Sequence, residues 1–67
     1  MNKHIRCVYT TNPGVFTFGR IYRVLRQGQQ VLVMDEQGNR YSLTPTHTST
    51  QTVYNHVSDS GHYMFRF

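Results

Sequence analysis

At 67 residues the chain is predicted to form one small domain with a thin core. Its only cysteine, Cys7, excludes an internal disulfide. Because small secreted domains are usually rich in cysteine, we expect the protein in a reducing cytoplasm. The N-terminal sequence lacks the apolar run of a signal peptide, and no stretch reaches the length of a membrane helix, so we expect no contact with a membrane. Seven Lys and Arg against three Asp and Glu give a net charge of +4, and the excess of arginine over lysine favours a partner that carries carboxylates or phosphates. A net charge of this size also lies within the range that serves solubility alone.

Strand-forming residues separated by short turns dominate the first part of the chain. The alternating sequence "HIRCVYT" predicts a strand over residues 4–10. A turn over 11–15, "TNPGV", follows, and "FTFG" leads from it to a second strand, "RIYRVLR", over 20–26. Because the chain changes direction before this strand, we expect Gly19 to have a positive φ angle or a close neighbouring strand.

The second predicted strand carries three arginines at a spacing of three: Arg20, Arg23 and Arg26. Side chains alternate between the two faces of a strand, so the three arginines do not form one stripe. Arg20 and Arg26 lie on the face of Tyr22 and Val24, at the two ends of the strand, where they reach water. We predict that Tyr22 and Val24 face the core and that Arg23 projects outward from the opposite face.

The remaining predicted strands are separated by glycine turns. A third strand over 31–35 and a fourth over 40–44 form a hairpin. The threonine-rich segment 44–52 contains a proline and is predicted as a long loop or an irregular edge strand. A short strand over 53–57 and a last strand over 62–67 complete a chain that we predict to be all-β.

Part of this pattern, residues 5–43, resembles small phage and prophage proteins with an SH3-like barrel. The similarity is carried by a Thr-x-Gly-x-x-Tyr-x-Val phrase and by an Asp-x-x-Gly hairpin: Thr17, Gly19, Tyr22, Val24, Asp35 and Gly38. The resemblance implies a single SH3-like β-barrel of about five short antiparallel strands over residues 1–67. It also implies a phage-type protein that docks onto a host protein through the long loop between its first two strands, Thr10 to Phe18.

Alternation within the strands also predicts the interior of the barrel. The side chains expected to fill it are Ile5, Cys7, Tyr22, Val24, Val31 and Val33. The aromatic residues at 63, 65 and 67 share one face of the last strand and are expected to close one side. In the loop, Phe16 and Phe18 leave two possibilities open: an exposed aromatic that binds a partner, or a cap on the end of the barrel.

The residues that carry catalysis or bind metals are sparse and poorly spaced. Asp35 and Glu36 are neighbours in a predicted hairpin, so they point apart, and Asp35 is expected to set the turn through its side chain. Cys7 lies in the middle of a strand on an apolar face, where a buried thiol is expected. The histidines lack the paired spacing of a structural zinc site: His4, His47, His56 and His62. We therefore expect neither an enzyme nor a metal or other cofactor.

Binding to nucleic acid is one of two functional hypotheses. Arginines lie beside aromatic residues at several points of the chain, a composition typical of small barrels that stack on single strands. The neighbours are Arg20 with Tyr22, Arg40 with Tyr41, and Arg66 with Tyr63 and Phe65. The opposing interpretation is that most of these rings form the core.

Docking onto a host protein is the preferred hypothesis, because an exposed aromatic beside arginines is typical of an interface hot spot. The candidate binding residues, for a protein or for a nucleic acid, are Phe16, Phe18, Arg20, Arg23, Arg26, Arg40 and Tyr41. A homodimer is a further possibility. The aromatic last strand, "HYMFRF", could lie at a sheet edge and pair with a second copy.

Overall fold

A computed structural model describes residues 3–67 as a closed barrel of six antiparallel strands. The strands are β1 (His4–Thr10), β2 (Ile21–Gln27), β3 (Gln30–Met34), β4 (Arg40–His47), β5 (Thr52–Ser58) and β6 (Gly61–Arg66). Each strand pairs with the next, and β6 closes the barrel against β1. The all-β barrel is confirmed, with six strands rather than about five, and it is consistent with an SH3-like fold. Within residues 3–67 no helix is long and apolar enough to cross a membrane.

The threonine-rich segment lengthens the fourth strand to His47 and begins the fifth at Thr52. β4 does not end at Thr44, but pairs with β3 as far as Leu43 and with β5 from Thr44 to His47. Pro45 therefore lies where β4 has left β3 and has one neighbour, so its missing N–H interrupts no β3 pair. A turn closed by the Thr48 N–H and the Gln51 carbonyl (2.8 Å) then reverses the chain into β5.

Closure of the barrel changes the setting of the last strand. β6 pairs with β1 on one side and with β5 on the other, so it is not an edge strand. The backbone groups of β6 therefore already have partners within the barrel. A homodimer formed by pairing at a free edge of β6 is no longer expected.

The centre of the core is the ring of Phe16, a residue that belongs to no strand. Its side chain is fully buried. Four aromatic rings stand nearly perpendicular to it at centroid distances of 4.9–5.0 Å, from Tyr22, Tyr41, Tyr63 and Phe65. Such edge-to-face pairs add to the stabilisation from burial. Phe16 is thus part of the interior, and the prediction that it contributes to an exposed binding surface is wrong.

The alternation rule predicted most of the remaining core. The predicted side chains that are buried are Ile5, Cys7, Tyr22, Val24, Val33, Tyr63 and Phe65. Val31 is half-buried against this cluster. Phe67 differs from the prediction: it is 44% exposed and its ring lies edge-on against Tyr54, 5.3 Å between centroids.

The two faces of β2 are as predicted, and they give a paired test. Val24 is 6% exposed, whereas Arg23 is exposed on the outer face. We expect Val24→Ala to lower the free energy of unfolding by about 1–3 kcal/mol, because it removes buried methyl groups and leaves a cavity. We expect Arg23→Ala to change it by less than about 0.5 kcal/mol. Urea unfolding of both variants measures this, and the opposite ranking would mean that the faces are inverted.

Candidate binding surface

Phe18 is presented at the tip of a tight turn. The Arg20 N–H donates to the Thr17 carbonyl (3.1 Å), and Gly19 between them has φ +84°, as the third residue of a type II turn requires. The positive φ predicted for Gly19 is confirmed. Phe18, the second residue of the turn, is 69% exposed. Its ring therefore faces solvent while Phe16, two residues earlier, fills the core.

Hydrogen bonds fasten this turn to β1. The Gly19 N–H donates to the Cys7 carbonyl (2.8 Å), and the Cys7 N–H donates to the Arg20 carbonyl (2.9 Å). The Arg6 guanidinium donates to the Gly19 carbonyl (2.9 Å). An aromatic residue on a backbone held in this way loses little conformational entropy when it binds a partner.

Beside the turn, the outer face of β6, β1 and β2 is rich in arginine. Arg66 of β6 lies opposite Arg6 of β1, and Arg6 lies opposite Ile21 of β2. In the adjoining row, His4 lies opposite Arg23. All of these side chains are exposed, including Ile21 at 56%. We call Arg6, Arg23 and Arg66, with Ile21 among them, the arginine face.

Acidic residues lie elsewhere in the barrel. Asp35 and Glu36 are in the β3–β4 turn, and Asp59 is in the β5–β6 turn. Within the described part of the chain, the one salt bridge joins Arg20 to Glu36. The arginine face therefore carries positive charge that no carboxylate among residues 3–67 pairs with.

The structure brings together only part of the predicted binding set. Phe18 and Arg23 belong to the exposed region just described, and Arg20 is directed to Glu36. Arg26 lies over the ring of Phe67, 5.5 Å from its centroid, and Arg40 is exposed on β4. Tyr41 turns inward, packs on Phe16, and donates its hydroxyl to Asp35 (3.0 Å).

Sequence reasoning left Arg6 and Ile21 out of the binding set, and it named Arg66 only beside the aromatic residues of the last strand. Alternation along β1 would have placed Arg6 outward, opposite in direction to Ile5 and Cys7. The pairing of Arg6 with Arg66 depends on closure between β1 and β6, which no local pattern encodes.

A polar cleft of about 350 Å³ opens between the β1–β2 loop and the β3–β4 turn. The charged groups of the cleft already have partners: Arg20 pairs with Glu36, and Asp35 accepts hydrogen bonds from its own turn. The hydroxyl of Tyr22, at the floor, accepts a hydrogen bond from the Thr17 N–H (2.7 Å). The Arg20–Glu36 salt bridge and the Thr17–Tyr22 hydrogen bond hold the β1–β2 loop against the barrel.

Asp35 sets the β3–β4 turn through its side chain, as predicted. Its Oδ1 accepts the backbone N–H groups of Gln37 and Asn39 (both 2.9 Å), and its Oδ2 accepts the Tyr41 hydroxyl. Burial by itself would raise the pKa of Asp35, but the hydrogen bonds from Asn39, Tyr41 and Gln37 outweigh it and hold the pKa below its usual value. The pKa of Tyr41 is raised, by burial first and then by its bond to this carboxylate.

The turn gives a prediction about acid stability. A carboxyl group with a depressed folded pKa stabilises the fold at neutral pH, and this contribution disappears as the pH falls through the folded value. We expect Asp35→Ala to cost about 1–2 kcal/mol at pH 7 and to flatten the loss of stability between about pH 5 and pH 2. Thermal unfolding against pH measures this, with Asp59→Ala as the control. An unchanged acid limb in Asp35→Ala would contradict it.

Cys7 lies in the interior, apart from the partly or fully exposed histidines. The Cys7 side chain is fully buried, as predicted, and burial raises its thiol pKa against the opposing effect of a hydrogen bond to the Tyr9 carbonyl. Among residues 3–67, no group of three or more His, Cys, Asp or Glu side chains is placed to share a metal ion.

Comparisons with protein-family models, curated proteins and solved structures found no significant match to this chain.

Proposed function

We propose that this chain is a non-enzymatic binding protein, of phage or prophage type, that docks onto a host protein in the cytoplasm. The observation that carries the proposal is Phe18, a 69% exposed ring on a turn that is hydrogen-bonded to the barrel. Exposing a large aromatic costs solubility, and a rigid turn that does so is suited to enter a pocket of a partner. The resemblance of residues 5–43 to small phage proteins supports the origin and the host partner.

The surroundings of Phe18 have the composition of a protein interface. Ile21 of β2 adds a second exposed apolar side chain. Arg6, its neighbour on β1, donates a hydrogen bond to the Gly19 carbonyl of the turn. Aromatic and arginine side chains are enriched at the energetic centre of protein interfaces, where apolar groups are desolvated. Because the arginines lack acidic neighbours, the matching surface of the partner is acidic.

Nucleic acid remains the second candidate, favoured by the unpaired charge of the arginine face. The argument from stacking is weaker in the folded chain, because Tyr22, Tyr63 and Phe65 are buried. Their rings are in contact with Phe16 and are not free to stack on bases. A surface with one prominent exposed ring and an isoleucine suits a protein better than a row of bases.

The proposal predicts that Phe18→Ala strongly weakens capture of the partner without unfolding the barrel. Tagged protein is incubated with nuclease-treated lysate, and the recovered partner is then titrated against each variant. A hot-spot aromatic contributes about 2 kcal/mol or more, so we expect affinity to fall about thirtyfold or more. Arg23→Ala is expected to weaken binding in the same assay.

Val57→Ala is the matched control, because Val57 is 71% exposed but lies on β5, away from the turn. It is expected to bind like the unmodified protein. Equal recovery of the partner with Phe18→Ala would contradict docking through this surface. Loss of all bound protein on nuclease treatment, with gel shifts that weaken steeply as salt rises, would favour nucleic acid.

A further inference from the structure

Two arginines face each other across neighbouring strands on the outside of the barrel. Arg6 of β1 and Arg66 of β6 are direct register partners, and both are exposed. Side chains directly opposite in an antiparallel pair start about 5 Å apart, and like charges in such pairs are destabilising. Among the described residues no carboxylate forms a salt bridge with either arginine, since the one salt bridge joins Arg20 to Glu36 and Asp59 lies in the turn at the other end of β6.

One of the two guanidinium groups is already oriented. Arg6 donates one N–H to the Gly19 carbonyl (2.9 Å), which fixes the group beside the Phe18 turn and leaves its other donors available. Arg66 extends from the neighbouring strand on the same face. Ile21 continues the row on the other side of Arg6. Across β6, β1 and β2 the row therefore consists of two cations, Arg66 and Arg6, followed by the apolar side chain of Ile21.

We infer that Arg6 and Arg66 together bind a carboxylate of an acidic peptide segment on the partner protein. A carboxylate between the two guanidinium groups accepts hydrogen bonds from both and turns their repulsion into attraction. An apolar residue next to that acid would contact Ile21 and Phe18. This inference rests on the proposed function, since it names the chemistry that the docked protein must present.

The binding test uses two short probes at low salt, followed by nuclear magnetic resonance titration. One probe is a blocked glutamate-rich octapeptide with a central leucine, and the other is an oligothymidylate of similar charge. We expect the peptide to bind, and Arg6→Gln and Arg66→Gln each to weaken it about tenfold, the effect of losing one charge-assisted contact of about 1.4 kcal/mol. Arg40→Gln, an exposed arginine on β4, is the matched control and is expected to change affinity less than about twofold.

A second measurement does not depend on any ligand. Removing one member of a repelling pair should stabilise the barrel, so Arg66→Gln is expected to raise the thermal midpoint by about 2 °C at low salt. The gain should vanish near 1 M salt, where screening acts within about 3 Å. Arg40→Gln should show neither effect.

The outcomes separate this inference from the proposed function. Equal weakening by Arg40→Gln, or no binding of the peptide at all, would overturn the paired site, while the capture assay with Phe18→Ala still decides the docking surface. Tighter binding of the oligothymidylate, with the same dependence on Arg6 and Arg66, would overturn both the carboxylate ligand and the protein partner.

Discussion

Phe16→Ala is expected to remove most of the stability of this protein. The Phe16 side chain is fully buried, and its ring meets four other aromatic rings at about 5 Å between centroids. Truncating a buried phenylalanine costs about 3–5 kcal/mol, through lost burial and through the cavity left behind. A domain of this size has a total stability of only about 3–10 kcal/mol. The variant should therefore be largely unfolded at 37 °C.

Urea unfolding followed by tyrosine fluorescence measures this effect. Phe16→Leu fills part of the cavity and is expected to lose less than Phe16→Ala. Phe18→Ala is the matched control, since it removes the same atoms from an exposed position and should change stability by less than about 0.5 kcal/mol. A loss below about 1 kcal/mol in Phe16→Ala would mean that the aromatic core is not built around this ring.

Gly61→Ala is expected to be the second most damaging change. Gly61 begins β6 with φ +150°, a conformation that residues with a side chain rarely adopt. An added Cβ would lie 2.7 Å from Thr11 Oγ1 and 2.9 Å from the Tyr63 hydroxyl. Neither atom moves freely, because Thr11 Oγ1 accepts the His62 N–H and the Tyr63 hydroxyl donates to the Ser60 carbonyl. Backbone strain and crowding together should cost about 2–4 kcal/mol.

Gly28→Ala introduces backbone strain without crowding, and so serves as the comparison for Gly61→Ala. Gly28 also has a positive φ (+62°), but a Cβ there would meet no atom within 4 Å. It is expected to cost about 1 kcal/mol, the penalty for a left-handed residue with a side chain. If Gly61→Ala and Gly28→Ala have equal thermal midpoints, the crowding at Thr11 and Tyr63 is not important.

Alternation predicted the strands well because each strand has one face against a single core. Tyr22 and Val24 face inward and Arg23 outward, as expected for β2. The rule has no force in the β1–β2 loop, where the chain is not extended. Phe16 and Phe18 are two positions apart and would share a face in a strand, yet one is the centre of the core and the other is in solvent.

A local signal at the loop could have separated these two phenylalanines. The sequence Thr17-Phe18-Gly19-Arg20 has glycine where a type II turn needs a positive φ, which places Phe18 at the exposed second position. The exposure of Phe18 follows from its place in the turn, next to the glycine with a positive φ angle. For Tyr41, alternation within β4 gives the same face as the buried Leu43, so its inward position follows from the local pattern.

The arginine face could not be predicted from local sequence, because it depends on which strands become neighbours. Arg6 and Arg66 meet only when the barrel closes β1 against β6, and a bulge between Cys7 and Tyr9 shifts that register. The β4–β5 pairing could not be predicted from the sequence either, because its residues give opposing signals. Threonine favours strands, whereas Pro45 is unfavourable in the interior of a sheet. Pro45 is tolerated because it lies where β4 has left β3 and pairs only with β5.

The docking surface is tested most directly by the footprint of the captured partner on isotope-labelled protein. Backbone amide signals are compared with and without the partner, residue by residue. The account predicts that the largest changes fall on residues 17–23 and on Arg6 and Arg66, with the turn over 48–51 unaffected. Largest changes at 48–51 or around Asp35, with Phe18 and Arg6 unchanged, would contradict it.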